Sequence, residues 1–149
     1  MHTILNHPGI KAHNPKILLV TPPPVNEVHL EAEDFKRGHP ALTRHQSVTE
    51  QYVNVVRELA EEYKDRGVVL VDLWTAMMKE AARLTPGHVE GGALLGSREK
   101  GDSPGLRKLL VDGIHLTGAG YEVFLDEVVP KVGKEWADEE PNDPSWIFP

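Results

Sequence analysis

The stretch VVRELAEEYKDRGVVLVDLW, residues 55–74, contains the end of an amphipathic helix, a glycine and a short apolar strand. Helical spacing of apolar residues predicts that one face of this helix is buried, made of Val48, Tyr52, Val55, Val56, Leu59 and Tyr63. Ser47 and Glu50 have the spacing of a capping box, which predicts the helix start. Gly67 is typical of a helix end, and VVLVDLW (68–74) predicts a buried strand.

A second apolar run, KILLV (16–20), lies upstream and is stopped by the prolines of TPPP. Continuously apolar strands separated by a helix are typical of a parallel sheet covered on both faces, so we expect an α/β fold. Average sheets have about five strands. Because the sequence indicates only these two, either short strands are hidden in the loops or the chain is part of a larger α/β domain.

The remaining segments alternate between predicted loops and helices. Residues 25–42 are polar with scattered apolar side chains, and residues 85–105 are rich in Gly, Pro and charge, so both predict loops. Asp72 and Thr117 are positioned to cap two further helices. The first of these helices is expected to bury Met77, Met78, Ala81 and Leu84. The second is expected to bury Tyr121, Phe124, Leu125, Val128, Val129 and Val132.

The composition limits the class of protein. The chain has 149 residues, 23 acidic against 16 basic side chains and no cysteine. This length predicts a single domain, 1–149, whose tail 136–149 is packed on the body or flexible. The acidic surplus argues against a nucleic-acid partner, and the lack of cysteine excludes disulfides and thiolate zinc sites. No apolar run could span a membrane and the start lacks the apolar core of a secretory signal, so we expect a cytoplasmic protein.

The segment VDGIHLTGAGY (111–121) places Asp112 and His115 three residues apart in a glycine-containing loop. Histidine suits general-base work near neutral pH, and a carboxylate on its second ring nitrogen fixes its tautomer and orientation. Asp112 and His115 are therefore candidates for the orienting acid and general base of a hydrolytic triad. On spacing alone a simpler interpretation stays open, in which Asp112 caps a turn and His115 lies against the last helix.

A longer pattern surrounds this pair. DGIHLTGAGY (112–121), followed by an amphipathic helix, resembles the last block of the SGNH (GDSL-type) hydrolases. HNPKILLVTPPPVNE (13–27), TEQYVNVVRELAEEYKDRGVVLVDLWTAM (49–77) and LLGS…GLRKLLVDGIHLTGAGY (94–121) resemble the isoamyl-acetate-hydrolysing esterase branch of that family. The resemblance covers nearly the whole chain.

This resemblance implies a three-layer α/β/α sandwich around a parallel sheet, a Ser–His–Asp triad, a small-molecule substrate that is a short-chain (acetate) ester, and no cofactor. It assigns Asp112 as the triad acid and His115 as the general base. It also places Pro22, Pro23 and Pro24 near the substrate pocket, in line with ligand binding beyond the carboxyl ends of parallel strands.

The chain departs from the family in its first blocks. The family's GDS serine, oxyanion glycine and G-x-N-D asparagine precede the segment that matches KILLVTPPP, and only sixteen residues precede Ile17 here. We therefore expect a partial fold that lacks the N-terminal strands. Gly101–Asp102–Ser103 spells GDS, but it lies in a polar loop, whereas a nucleophilic serine needs a rigid strand and a helix behind it. Ser47, Ser97 and Ser145 are no better placed.

Three interpretations stay open. The chain carries only the Asp/His half of an esterase site, or it is an inactive remnant, or it comes from an incomplete gene model. As a remnant it would act, if at all, through a partner or as a homo-oligomer formed along the exposed sheet edge of strand 16–20.

Eight histidines invite a metal site, but zinc needs three or four converging ligands, usually including a close pair. His29, His39 and His45 have no such spacing. We expect them to be solvated and expect no metal.

Overall fold

The computed structural model describes residues 1–13 and 15–132. Its two strands are β1 (Ile17–Val20) and β2 (Val68–Val71). Its α-helices, in chain order, are α1 (His2–Asn6), α2 (Pro8–His13), α3 (Glu27–Lys36), α4 (Gln46–Glu62), α5 (Leu73–Leu84), α6 (Pro104–Leu109) and α7 (Gly118–Val132). A 3-10 turn, Lys64–Arg66, links α4 to β2, and Gly67 at its end has a left-handed φ of 79°.

The two strands form a parallel pair, as the apolar runs predict. Their register runs from Ile17 opposite Val68 to Val20 opposite Val71. Because the ends of parallel strands must be joined by a crossover, α3 and α4 occupy the connection. In the described part of the chain the sheet has no further strand, so the expected α/β fold is confirmed with a small sheet.

Helices cover both faces of this sheet. Neighbouring residues of a strand point to opposite faces. Ile17 and Leu19 pack against a cluster that contains Leu5 of α1 and Ala60 of α4. Val20, which points to the opposite face, packs against a larger cluster contributed mainly by α5 and α6. The layers are therefore helix, sheet and helix, in a partial α/β/α arrangement.

The larger cluster is the main core. Its buried members are Leu73, Met77, Ala81, Leu95, Leu106, Leu109 and Leu110. Met77 and Ala81 lie on the predicted face of α5, which is confirmed. Asp72 caps α5 by accepting a hydrogen bond from the Thr75 amide at 3.2 Å, as expected. Thr117 likewise accepts from the Gly120 amide at 3.1 Å at the start of α7.

The prediction of a loop over residues 25–42 was wrong, because α3 occupies ten of them. The capping-box prediction was also wrong. Helix α4 begins at Gln46, so Ser47 lies inside its first turn. The Gln46 amide donates instead to the Glu27 carboxylate of α3 at 2.7 Å. The acceptor at the start of α4 is therefore Glu27, 19 residues upstream, and not a neighbouring serine. A short sequence pattern cannot indicate such a distant partner.

The predicted buried faces of α4 and α7 were partly wrong. On α4 the buried residues include Val53 and Ala60, whereas Tyr52 is 64% exposed. The large apolar side chains exposed on these two helices are Val48, Tyr52, Val55, Tyr121, Leu125 and Val129. Phe124 of α7 does pack against the main core. Both helices thus carry apolar residues on faces that the core of the described residues does not cover.

No helix in residues 1–13 or 15–132 has the length and apolar character needed to cross a membrane. The prediction made for residues 136–149, a tail packed on the body or flexible, falls outside the described residues.

Candidate active site

The loop between α6 and α7 is shaped by backbone pairing at its base. Leu110 and Leu116 form an isolated antiparallel bridge, and the Val111 amide donates to the His115 carbonyl at 2.7 Å. Inside this narrow loop, Asp112 Oδ1 accepts from the amides of Ile114 at 3.2 Å and His115 at 3.0 Å. Asp112 therefore caps the turn, as the simpler sequence interpretation required.

The same carboxylate also contacts the imidazole. Asp112 Oδ2 lies 2.8 Å from Nδ1 of His115. The Asp112 side chain is only 10% exposed, whereas that of His115 is 74% exposed. The two interpretations offered by the sequence are thus compatible, because one oxygen caps the turn while the other holds the histidine.

A third side chain joins this pair. Arg37, the residue that ends α3, donates from Nη2 to the same Asp112 Oδ2 at 2.8 Å. Sequence reasoning missed Arg37 because its segment was interpreted as a loop. The sequence carried no signal for it, because nothing near Arg37 indicates a partner 75 residues away.

These contacts decide the charge of Asp112. Burial would raise the pKa of its carboxyl, but the His115 amide, the Arg37 guanidinium, the His115 imidazole and the Ile114 amide all donate to it. Together they hold that pKa well below its usual range. An ionised carboxylate only accepts hydrogen bonds, so Nδ1 of His115 must carry the proton in the neutral imidazole. Its Nε2 is then left with a free lone pair, the arrangement a general base requires.

The loop is fixed to α3 by a close backbone approach. Gly113 has φ of 92°, and its carbonyl accepts from the Asn26 amide at 2.9 Å. A Cβ on residue 113 would lie 2.8 Å from the Asn26 carbonyl oxygen. Only glycine fits both the backbone conformation and the space.

Asn26 is fully buried and connects this loop to the Gly101–Asp102–Ser103 segment. Its Nδ2 donates to Asp102 Oδ1 at 2.9 Å. Ser103 is 1% exposed, and its Oγ caps α6 by accepting from the Leu106 amide at 3.2 Å. The serine of this GDS triplet is therefore a buried helix cap.

An apolar groove of about 320 Å³ lies next to the loop that carries His115, with Ile114 of that loop in its wall. Its lining residues are Pro22, Pro23, Val25, Thr43, Arg44, His45, Val48, Thr49, Tyr52 and Ile114. Two of the three prolines named from the sequence thus reach this groove, while Pro24 is buried in the fold. Ile114 connects the groove to the loop, since it directly precedes His115.

The other histidines are scattered. His45 Nδ1 is 3.7 Å from Glu27 Oε1. Burial lowers the pKa of His29, and the neighbouring Arg107 guanidinium lowers it further. Within the described ranges, no three His, Asp or Glu side chains converge as metal ligands.

Comparison with known proteins gives consistent matches. Residues 2–128 match the model of the family described as GDSL-like Lipase/Acylhydrolase. The chain is 29% identical over 120 residues to the isoamyl acetate-hydrolyzing esterase 1 homolog of Mus musculus. It is 27% identical over 120 residues to the Homo sapiens protein of that name. Each match covers 80% of this chain but only 38% of the relative, so the chain spans well under half the length of either.

Proposed function

The chain belongs to the GDSL-like lipase/acylhydrolase family, and from that premise we propose that it supplies the acid–base half of a site that hydrolyses short-chain carboxylic esters such as acetates. The observation that carries this proposal is the 2.8 Å contact between Asp112 Oδ2 and His115 Nδ1, with the imidazole exposed and the preceding residue, Ile114, lining an apolar groove. The names of the mouse and human relatives support an ester substrate.

In this proposal His115 is the general base and Asp112 its orienting acid. Nε2 of His115 takes the proton of a serine hydroxyl as that oxygen attacks the ester carbonyl, and later gives it to the departing alcohol. Asp112 stabilises the imidazolium formed between these steps. Pro22 and Pro23, with Ile114, would contact the acyl or alkyl group of the ester through the groove.

The nucleophilic serine would come from outside this chain. Ser103 is buried and occupied as a helix cap. The Ser97 hydroxyl donates to the Leu94 carbonyl at 2.7 Å, and Ser47 lies in the first turn of α4. Ser145 is outside the described residues. A site without its serine and oxyanion donors loses most of its activity, because the triad works as a unit.

A chimera tests this proposal. In the mouse relative, the 120-residue segment that matches this chain is replaced by the corresponding segment of this chain. Hydrolysis of p-nitrophenyl acetate is then measured for the chimera and for the unchanged mouse protein. We expect the chimera to hydrolyse the ester and His115→Ala within it to lose at least about a hundredfold in kcat/KM. Ser103→Ala is the matched control and should retain activity.

Two outcomes would contradict the proposal. If the chimera kept its activity after His115→Ala, His115 would not be the general base. Hydrolysis by the isolated chain that Ser103→Ala abolishes would identify Ser103 as the nucleophile after all.

A second function, non-catalytic self-association, is favoured by one observation. Among the described residues β1 pairs only with β2, so its other edge offers unpaired backbone groups. Leu18→Pro would remove one donor from β1, and sedimentation of the wild type and this variant would test the idea. A monomeric wild type at micromolar concentration would rule out this association.

A further inference from the structure

We propose that Arg37 is a positioning residue for the Asp112–His115 pair: its guanidinium fixes the Asp112 oxygen that accepts the hydrogen bond from Nδ1–H of His115 and so maintains the tautomer with a free Nε2. This inference rests on the proposed roles of Asp112 and His115. It concerns the residue that caps the C-terminal end of α3, 75 positions upstream of Asp112.

The first argument is how the two carboxylate oxygens are used. Oδ1 of Asp112 accepts from two backbone amides and is fixed by the turn itself. Oδ2 accepts from two side chains, His115 Nδ1 and Arg37 Nη2, both at 2.8 Å. The histidine is largely exposed and can rotate away. Arg37 is therefore the contact that keeps Oδ2 directed at Nδ1 when the imidazole is exchanging protons.

The second argument is that Arg37 itself is held. Its amide donates to the carbonyls of Glu33 and Asp34, both at 3.1 Å, so its backbone closes the last turn of α3. The Asp34 carboxylate in turn accepts from the amide and hydroxyl of Thr43, both at 2.8 Å. The guanidinium thus extends from a fixed helix end.

The third argument is charge. Arg37 faces Asp112, Glu33 and Asp34, and contact with Asp112 raises the pKa of the guanidinium. Asp112 faces Arg37, His115 and, more distantly, His29. A permanent cation beside a carboxylate that is 10% exposed keeps that carboxylate ionised and hence a pure acceptor.

The test measures the tautomer directly. Long-range proton–nitrogen spectra of the full chain labelled with ¹⁵N-histidine report which ring nitrogen of His115 carries the proton in the neutral state. The wild type should show Nδ1–H as the major form. In Arg37→Gln the ratio of Nδ1–H to Nε2–H should fall by a factor of about two to five, the range expected for a partly exposed ion pair.

Two further variants complete the experiment. Arg37→Lys keeps one charged donor and should recover part of the wild-type ratio. Arg83→Gln removes a comparable arginine–carboxylate pair, Arg83–Glu80 at 2.6 Å on α5, and should leave the ratio unchanged.

The outcomes separate this inference from the proposed function. An unchanged ratio in Arg37→Gln would overturn the role of Arg37 alone, whereas a wild type dominated by Nε2–H would overturn the Asp112–His115 pair itself. A further measurement needs no variant. Rotation of the Arg37 guanidinium about its Nε–Cζ bond should be slow in the wild type, and free rotation would overturn the inference even if Arg37→Gln failed to fold.

Discussion

Gly113 lies so close to the backbone of Leu30 that a Cβ atom on residue 113 would be 2.6 Å from the Leu30 nitrogen. This approach connects the loop that carries Asp112 and His115 to the buried first turn of α3. The position of the candidate site therefore depends on a contact between two backbone segments. Adding one methyl group at residue 113 tests this contact.

Gly113→Ala is expected to lower the free energy of unfolding by at least about 2 kcal/mol, because it adds both a clash and strain at positive φ. The measurement is urea unfolding followed by circular dichroism. Gly118→Ala is the matched control, since a Cβ there would meet nothing within 4 Å. Equal stability of the two variants would contradict the close approach.

Gln46→Ala is expected to destabilise the fold by about 2 to 4 kcal/mol, because it leaves buried backbone groups without partners. Its Oε1 accepts from the Val25 amide at 2.7 Å, and its Nε2 donates to the Leu95 carbonyl at 3.0 Å. Gln51→Ala, an exposed change on the same helix, should stay within about 0.5 kcal/mol of the wild type. Similar losses in the two variants would argue that Gln46 does not bridge these segments.

Asp112 should make stability depend on acid pH. Its folded-state pKa lies below the unfolded value of about 3.9, so its contribution is complete at neutral pH and is lost as the pH falls through the folded pKa. Asp112→Asn lacks this contribution. The difference in unfolding free energy between wild type and Asp112→Asn should therefore shrink from pH 7 to pH 3. Urea titrations at pH 7, 5 and 3 measure it, and a constant difference would refute the pKa shift.

Asp72→Ala should cost about 1 to 2 kcal/mol, since it removes the cap of α5. It also releases Arg57, whose Nε donates to Asp72 Oδ2 at 3.0 Å and which joins α4 to α5. Thermal unfolding of this variant beside Asp65→Ala, an exposed aspartate in the 3-10 turn, provides the comparison. A melting temperature lowered equally in both would mean that the cap contributes little.

The sequence predicted those elements whose signals are local. β1 and β2 follow from continuous apolar runs. The start of α5 follows from Asp72, whose side chain accepts a hydrogen bond from the Thr75 amide three residues later. The pairing of Asp112 with His115 is also local, because a three-residue turn brings the two side chains together. Each of these could be inferred from a window of about ten residues.

What the sequence did not predict depends on distant residues. Helix α3 has few apolar residues, and it is fixed by the Asn26–Gly113 and Glu27–Gln46 bonds at its start. Once α3 was missed, Arg37 could not be recognised as a partner of Asp112. The apolar residues of α4 and α7 predicted helices correctly, but periodicity does not say which of several apolar faces will be covered.

The buried Asn26 has a consequence for the order of folding. Its side chain bonds to Asp102, 76 residues away, and its amide bonds to Gly113 beyond that. Such long loops close only after local structure has formed, so the geometry of the candidate site is acquired late, together with the global fold. The Asn26 amide should then exchange with solvent only through complete unfolding, and the loop that carries Asp112 and His115 should reach its place beside α3 only when the whole fold forms.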